Sequence, residues 1–424
     1  MKMPRLVSAA MAFLLLTGCG SSESSGNGMS LSPDNVWGRG ESSKAASRAD
    51  VSSLTESKAP ALTKDKVTMN RSTEYFYDLI TEERLRQGSL VMLDGLRSHS
   101  ESISFEGLGI SEKELNELFD LMICCDPELG WIDYNYEVDH DEGDVIAHAY
   151  FTYKLSPEEE KSAVEKLRAE VSKVAAETEG YSDFDRVLYF HDYIIANCDY
   201  SEASDSAWSA YGCLIDGKAV CEGYSKALIA LCEETGMLFL PVGGSTDREG
   251  QELHMWNKVM MDGEWYNMDL TWDDPTYGSG SPVSDDPEGA EILHREYFGL
   301  TDEEVLTDHS FLETSFLKYP EAKATEDNFF VRTGACIGDV SEAQETIYSL
   351  AAKSLDSGGN TFQLKCADSG VYEAVYNEEF SDDGAIFDVL DALWNNGYPI
   401  EKNSYRFIPD EEHCIVTVIL EYAV

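Results

Sequence analysis

The sequence predicts an α+β fold in which a helix packs on an antiparallel sheet, and two local patterns support this. After Cys221, apolar residues recur at helical spacing as far as Gly236, which predicts a helix with the cysteine in its first turn. Further along, Asp262-Gly263 separates two apolar runs, which is typical of a two-residue β-hairpin. Segments of mixed helical and strand periodicity lie on both sides, so we expect two small α+β units to flank this core.

The composition limits the classes of function. With 424 residues, the chain is long enough for two or three domains of about 150 residues each. Hydrophobic residues make up 43 %, which is enough to build real cores. The formal charge is 31 minus 80, or -49, and such an acidic surface argues against binding to nucleic acid and against electrostatic attachment to anionic lipid.

Residues 1–18 resemble a bacterial lipoprotein signal peptide. Lys2 and Arg5 form a charged start, and Leu6–Leu16 is apolar but too short to span a membrane as a mature helix. Leu16-Thr17-Gly18-Cys19 then has the pattern of a lipobox. This resemblance implies cleavage before Cys19, acylation of its thiol and anchoring on the outer face of the cytoplasmic membrane. An ordinary secretory signal is the alternative, and both predict an exported protein.

Two segments separate the signal from the predicted core. Residues 19–66 are rich in Ser, Gly, Ala and Asn, which predicts a disordered tether. Residues 67–155 read as an α+β module, with a capping box at Ser111 and Glu114 and two alternating runs around the acidic stretch Asp139–Asp144. That stretch could be imagined as a calcium loop, but it lacks the ligand spacing of an EF-hand, so we interpret it as a hairpin turn.

The predicted catalytic domain covers residues 156–310 and opens with two helices. Ser156-Pro157 starts the first, and Ser182 with Asp185 starts the second. The second helix carries His191-Asp192, which invites a catalytic interpretation. Because adjacent helical side chains diverge, we expect this pair to pack near the site rather than to form a relay.

Residues 326–424 form a predicted third α+β unit. We expect a strand at Phe329–Val331, a helix from Val340, a strand at Thr361–Lys365, a helix near Ile386–Leu393 and a closing hairpin. No chemistry is identified there, so a structural or partner-binding role is the default.

A thiol, an imidazole and a carboxylate follow one another in the central stretch. The start of a helix favours a thiolate at Cys221 through free backbone N–H groups and the macrodipole. The hairpin sets Trp256 opposite Asp269, which makes His254 a diagonal neighbour of that carboxylate. These are the parts of an acyl-transfer triad. Taken singly, each residue is more typical of an ordinary core position.

The residues around this triad resemble the transglutaminase-like superfamily, a papain-related group. The resemblance covers roughly residues 157–310 and rests on Val220–Tyr224, His254–Asn257 and Tyr266–Trp272. It implies a papain-like core in which Cys221 is the nucleophile, His254 the general base and acid, and Asp269 the orienting carboxylate. No Gln precedes Cys221 at a useful distance, so the backbone N–H of Cys221 is the preferred oxyanion donor and Tyr211 a weaker candidate.

The expected function is therefore an exported, lipid-anchored cysteine enzyme acting on peptide or protein amides through a thioester. Water as acceptor gives a protease or amidase, and an amine gives a transamidase. The resemblance implies peptide substrates, with cell-wall peptides among them. The chemistry needs no cofactor, and the sequence lacks the CxxC pairs and HExxH helix of zinc sites. The alternative is a catalytically silent surface lipoprotein that binds peptides or protein partners.

Overall fold

A computed structural model describes residues 46–47, 58–141, 145–246, 252–274, 294–312, 318–381 and 383–423. The chain divides into two compact units, one ending at Arg332 and the other covering Thr333–Val424. The predicted signal peptide and Cys19 lie outside the described residues. No helix within the described ranges is long and apolar enough to cross a membrane.

The first part of the larger unit combines three helices with a four-stranded sheet. The elements are β1 (Ala46–Ser47), α1 (Arg71–Leu79), α2 (Glu83–Arg97), β2 (Ser102–Ser104), α3 (Glu112–Cys125), β3 (Glu137–His140) and β4 (Ile146–Tyr150). The sheet order is β1-β3-β4-β2, with β1 parallel to β3 and the other pairs antiparallel. Ser111 and Glu114 form the predicted capping box at the start of α3. β3 and β4 pair antiparallel, as expected for a hairpin, and residues 142–144 of the acidic stretch between them lie outside the described residues.

The structure differs from the predicted tether near its end. Residues 46–47 pair as β1, and Lys64–Lys66 forms a 3-10 turn. Lys64 Nζ lies 2.7 Å from Asp78 and 2.8 Å from Glu74, and Leu62 packs against the core. Order therefore begins before the predicted boundary at Lys66, because a single apolar side chain and an ion pair attach the segment to α1.

The second part of the larger unit is a five-stranded antiparallel sheet with helices packed against it. Its elements are α4 (Pro157–Ala176), α5 (Asp183–Asn197), β5 (Asp199–Tyr200), β6 (Lys218–Ala219), α6 (Cys221–Glu234), β7 (Phe239–Thr246), β8 (Glu252–Met261), β9 (Glu264–Met268), α7 (Leu270–Asp273), β10 (Phe298–Leu300), α8 (Asp302–Val305), β11 (His309–Phe311) and α9 (Phe329–Thr333). The sheet order is β10-β9-β8-β7-β11, and β5 pairs with β6 separately. Ser156, Ser182 and Thr301 cap their helices through side-chain oxygens, which satisfies backbone N–H groups that have no intrahelical partner.

The hairpin between β8 and β9 forms in the predicted register. Asp262 and Gly263 have φ values of 49° and 89°, the positive angles that a tight hairpin turn needs. Met261 pairs with Glu264 and the ladder continues to Asn257 opposite Met268. The extrapolated pair of Trp256 with Asp269 is wrong, because β9 ends at Met268 and Asp269 instead caps α7.

Helix α6 is buried on nearly all sides, and its buried residues include the charged pair Glu222 and Lys226. One side packs with α5 and β9 through Tyr224 and Leu228. At its first turn Cys221 joins a different apolar cluster, with Met255 of β8 and core residues of the first 150 residues of the chain. The first turn of α6 therefore lies where the two parts of the larger unit meet.

The smaller unit is α+β, as predicted. It contains β12 (Cys336–Ile337), α10 (Ala343–Asp356), β13 (Thr361–Cys366), α11 (Ser369–Glu379), α12 (Ile386–Asn395), β14 (Ile400–Asp410) and β15 (Ile415–Tyr422), with sheet order β12-β13-β15-β14. The predicted strand at Phe329–Val331 is wrong, because these residues belong to α9. Asn328 Oδ1 accepts from the N–H groups of Phe330 and Val331, which starts a helical turn there.

Candidate active site

Cys221 is the first residue of α6, as the sequence predicts. Only 9 % of its surface is exposed. Gly223, two residues on, allows the helix to start at this position: an added Cβ would lie 2.5 Å from the Ala207 carbonyl oxygen and 2.7 Å from Ala219 Cβ. The helix start is thus pressed against neighbouring backbone, and the thiol is held among buried groups.

His254 and Asp269 are in direct hydrogen-bond contact. His254 Nε2 lies 2.6 Å from Asp269 Oδ2, and the two residues are 2 % and 1 % exposed. A carboxylate can only accept, so Nε2 carries a hydrogen in this contact. The other carboxylate oxygen, Oδ1, accepts from the N–H groups of Thr271 at 2.9 Å and Trp272 at 3.2 Å. Asp269 is therefore fixed by the helix that it caps.

A glycine opposite His254 leaves room for the aromatic side chain beside it. Gly244 of β7 pairs with His254 across the ladder. A Cβ added at Gly244 would lie 2.2 Å from the Ser310 carbonyl oxygen and 2.4 Å from the Trp256 ring. The Trp256 ring also stacks beside His254, with centroids 6.1 Å apart. Any larger residue at position 244 would push β11 or Trp256 out of place.

Burial determines the resting state of the thiol. Burial raises the pKa of Cys221 to about 12, although the backbone N–H groups of Met255 and Glu222 act in the opposite direction. The helix start alone predicts a partly ionised thiol, but the desolvation of the buried sulfur outweighs it. At neutral pH the resting site therefore holds a thiol. Ionisation has to accompany transfer of its proton to a base.

The carboxylate behaves in the opposite way. Burial acts to raise the pKa of Asp269, but His254 and His309 outweigh it and hold that pKa well below its usual range. Asp269 is therefore ionised throughout the neutral range. A fixed negative charge beside His254 favours an imidazolium when the ring takes up a proton.

His309 is the site residue that the sequence analysis missed. It is fully buried in β11, and its Nε2 lies 3.1 Å from Asp269 Oδ2, the oxygen that His254 also contacts. Its Nδ1 lies 2.5 Å from Asp308 Oδ1, and the Tyr297 hydroxyl donates to Asp308 Oδ2 at 2.5 Å. One ligand atom each of His254, Asp269 and His309 lies within 4.8 Å of the others, so a small cation could be held there. In the described structure these atoms are each other's hydrogen-bond partners.

A buried ion pair lies directly beside Cys221. Lys226 Nζ is 2.8 Å from Glu222 Oε1, and both side chains are almost completely buried. The Tyr134 hydroxyl donates to the same Glu222 oxygen at 3.0 Å, and Lys226 Nζ also donates to the Trp208 carbonyl at 3.4 Å. The first turn of α6 is therefore attached to the first part of the unit through Tyr134.

His191 and Asp192 are in direct contact, so the expectation that their side chains diverge is wrong. His191 Nδ1 lies 3.0 Å from Asp192 Oδ1, and its Nε2 lies 3.0 Å from Asp273 Oδ2. The ring bridges α5 to α7, the helix that Asp269 caps. Its expected role, packing and hydrogen bonding near the site, agrees with this position.

Tyr211 stays a predicted oxyanion donor. It precedes a π-helical turn at Gly212–Asp216, and its ring packs edge-on against Trp131 with centroids 5.3 Å apart. The backbone N–H of Cys221 lies at the start of α6 and therefore has no carbonyl acceptor within the helix. The nine described cysteines are all free thiols, and the predicted lipidation site at Cys19 lies outside the described residues.

The fold thus places Cys221 at the start of α6, His254 on β8 and Asp269 at the cap of α7. Residues 170–270 match the model of the transglutaminase-like superfamily. The chain therefore contains a transglutaminase-like domain, as the sequence motifs predicted.

Individual relatives are more distant. The chain is 24 % identical over 192 residues to the kyphoscoliosis peptidase of Mus musculus, a match that covers 39 % of this chain and 28 % of that protein. A provisionally named cysteine protease from Cytophaga hutchinsonii has a solved structure with 19 % identity and a TM-score of 0.23, covering 31 % of this chain and 53 % of its own. A structure described as a TGase has 15 % identity and a TM-score of 0.23, covering 33 % and 44 %. The chain thus spans about a quarter of the length of the mouse peptidase.

Proposed function

We propose that this protein is an exported, lipid-anchored cysteine enzyme that acts on peptide or protein amides through a thioester on Cys221. The observation that carries the proposal is the 2.6 Å hydrogen bond between His254 and Asp269. His254 lies on β8, and the next residue of this strand, Met255, donates its backbone N–H to the buried thiol of Cys221. The transglutaminase-like domain supports the same class of chemistry.

In the proposed reaction, Cys221 Sγ attacks the amide carbonyl while His254 Nδ1 takes the thiol proton. The new S–C bond forms as the carbonyl electrons move to oxygen. The C–N bond then breaks, His254 returns the proton to the leaving amine, and a thioester remains. Water, or a second amine, attacks the thioester and releases the thiol. Asp269 keeps Nε2–H directed away from the sulfur and stabilises the transient imidazolium.

The backbone N–H of Cys221 is the proposed donor to the oxyanion. A group at a helix start is directed into the site without any rearrangement, and removing one such donor from an enzyme typically reduces kcat by about 100 to 1000 times. A backbone donor cannot be removed by substitution. The tests therefore change the side chains of Cys221 and His254.

Two probes separate hydrolysis from transamidation. The full-length chain, purified in detergent, is assayed for hydrolysis of fluorogenic casein and for incorporation of monodansylcadaverine into dimethylcasein. We expect one of the two activities in the wild type and its loss in Cys221→Ala and His254→Ala. Cys336→Ala, which changes a partly exposed thiol of the smaller unit, is the matched control. Wild-type activity equal to that of Cys221→Ala with both probes would reject the enzyme.

One observation favours a second candidate, a peptide-binding surface lipoprotein without turnover. The thiol is buried and protonated at rest, which is also the state of an inert core cysteine. Complementation separates the two candidates: a chromosomal deletion is supplied with the wild-type gene or with Cys221→Ala. Equal rescue of the deletion phenotype by both would favour the binding protein.

The lipid anchor has its own test. Cells are grown with an alkyne-tagged palmitate, and the protein is immunoprecipitated and coupled to a fluorophore. We expect labelling of the wild type and none of Cys19→Ala, with the wild type in the membrane fraction. An unlabelled wild-type protein in the medium would instead indicate an ordinary secretory signal.

A further inference from the structure

The geometry points to His309 as a positioning residue, which holds the Asp269 carboxylate in place for His254. The inference deepens the function proposed above and rests on it for its kinetic readout. His309 faces carboxylates with both of its ring nitrogens, those of Asp308 and Asp269. It acts through Asp269, the residue that both imidazoles share.

The first step is the shared oxygen. Asp269 Oδ2 lies 2.6 Å from His254 Nε2 and 3.1 Å from His309 Nε2. A carboxylate oxygen that accepts two N–H bonds, while Oδ1 accepts two backbone N–H groups at the start of α7, has little rotational freedom left. Among the described contacts, His254 and His309 are the two side chains that restrain Asp269 Oδ2. Loss of the His309 donor would let the carboxylate tilt away from His254.

The second step is the orientation of His309 itself. Asp308 faces Nδ1 and Asp269 faces Nε2, and carboxylates only accept, so both ring nitrogens carry hydrogen. The Tyr297 hydroxyl then holds the second oxygen of Asp308. This chain of contacts fixes the ring plane and leaves no choice of tautomer. A residue with only a packing role would not need a carboxylate at each nitrogen.

The third step is the mechanical support. His309 starts β11 and pairs with Thr246 at the end of β7, the strand adjacent to His254. Its ring centroid lies 4.5 Å from that of Trp272 and 4.9 Å from that of Trp256. The ring is thus packed between two indoles, and its N–H groups cannot swing to other partners.

Two amide substitutions divide the ring's functions. In His309→Gln the amide nitrogen occupies the place of Nε2 and can donate to Asp269, while the contact with Asp308 is lost. In His309→Asn the amide nitrogen occupies the place of Nδ1 and can donate to Asp308, but it does not reach Asp269. Both variants remove the same ring and keep a polar amide, so each is the control for the other.

The kinetic test uses the full-length chain and whichever casein probe the wild type turns over. We expect His309→Gln to keep at least about a third of the wild-type kcat and His309→Asn to lose it by about tenfold or more, with KM within twofold in both. A merely structural residue would lower both variants alike. Equal kcat values for the two amides, whether high or low, would overturn the inference.

A spectroscopic readout tests the inference independently of turnover. With ¹⁵N-labelled histidine in the Cys221→Ala background, the His254 N–H that donates to Asp269 should give a downfield proton resonance, assigned by its loss in His254→Ala. We expect His309→Gln to keep this resonance and His309→Asn to lose it through exchange with water. Its persistence in His309→Asn would overturn the inference. Absent turnover in the wild type would reject the proposed enzyme and leave this readout intact.

Discussion

Breaking the buried ion pair beside Cys221 should destabilise the larger unit strongly. Lys226→Met removes the partner of Glu222 and fills the same space with an unbranched apolar side chain. Lys226 and Glu222 are 0 % and 2 % exposed, and their charged atoms are 2.8 Å apart, so water cannot replace the lost contact. The carboxylate of Glu222 would stay buried, stabilised by the hydrogen bond from Tyr134 and by the positive end of the α6 dipole.

The magnitude follows from these contacts. Removing one partner of a buried pair typically lowers the free energy of unfolding by about 3 to 5 kcal/mol. Because Glu222 keeps a hydroxyl donor and lies in the first turn of α6, we expect the lower end of that range, about 3 kcal/mol. Because the larger unit extends over about 300 residues, each with an unfolding entropy of about 2.1 cal/mol/K, the midpoint of thermal unfolding should fall by about 5 °C.

The assay is urea denaturation of the full-length chain, followed by tryptophan fluorescence, with a double-mutant cycle. Glu222→Gln alone should also destabilise, whereas Glu222→Gln with Lys226→Met should recover at least about half of the summed loss, because no uncompensated charge remains. Lys166→Met, at an exposed position of α4, is the control and should change stability by less than about 0.5 kcal/mol. A Lys226→Met variant within about 1 kcal/mol of the wild type would refute the reasoning.

Three further predictions follow from the same region. Burial lowers the pKa of His309, but Asp269 and Asp308 outweigh it and raise that pKa to about 9. The contribution of His309 to stability is therefore complete below pH 6.5 and disappears as the pH rises through 9. Urea titrations over this range should show that the free energy of unfolding falls by about 3 kcal/mol in the wild type and not in His309→Gln. The same pH slope in both proteins would contradict this. Gly244→Ala should lower the free energy of unfolding by about 1 to 3 kcal/mol, whereas Gly338→Ala, whose added Cβ would meet one side-chain atom at 3.6 Å, should have little effect in the same titration. Because its pKa is raised to about 12, Cys221 should react with iodoacetamide more slowly than Cys336 at pH 7, and its rate should increase up to at least pH 10. The rate is followed for each cysteine by mass spectrometry. A rate for Cys221 that stops increasing below pH 8.5 would contradict the raised pKa.

Local signals in the sequence predicted the parts of the fold that depend on neighbouring residues. The turn at Asp262-Gly263 fixed five ladder pairs. A serine followed three residues later by an acid marked the starts of α3 and α5 correctly, and Ser156-Pro157 marked the start of α4. The prediction of a strand at Phe329–Val331 was wrong because β propensity was weighed without the cap at Asn328. Asp368 gives a similar signal for α11, which the sequence analysis missed.

The three residues of the proposed triad could be chosen from the sequence, whereas His309 and the electrostatics of the site could not. His254 and Asp269 lie on one hairpin, so their contact could be reasoned from register, although the actual contact is made from the cap of α7. His309 comes from a strand 40 residues beyond Asp269, and no local pattern connects the two. Asp308-His309 beside an apolar run was the one available signal. The raised pKa of Cys221 needed the burial of α6, which depends on the whole unit.

The residues of the proposed triad are held in place by contacts with distant segments of the larger unit, made by a neighbouring residue or by the Asp269 oxygen that His254 and His309 both contact. The residue after Cys221 is Glu222, whose contact with Tyr134 ties the thiol to the first part of the unit. Asp269 is tied to α7 by its cap and to β11 by His309. Since these attachments come from segments far apart in the chain, the site can assemble only when the larger unit is folded as a whole. A substitution at Glu222 should therefore disturb the site mainly by lowering the stability of the larger unit. A substitution at His309 that removes the donor to Asp269 should in addition disturb the alignment of Asp269 with His254.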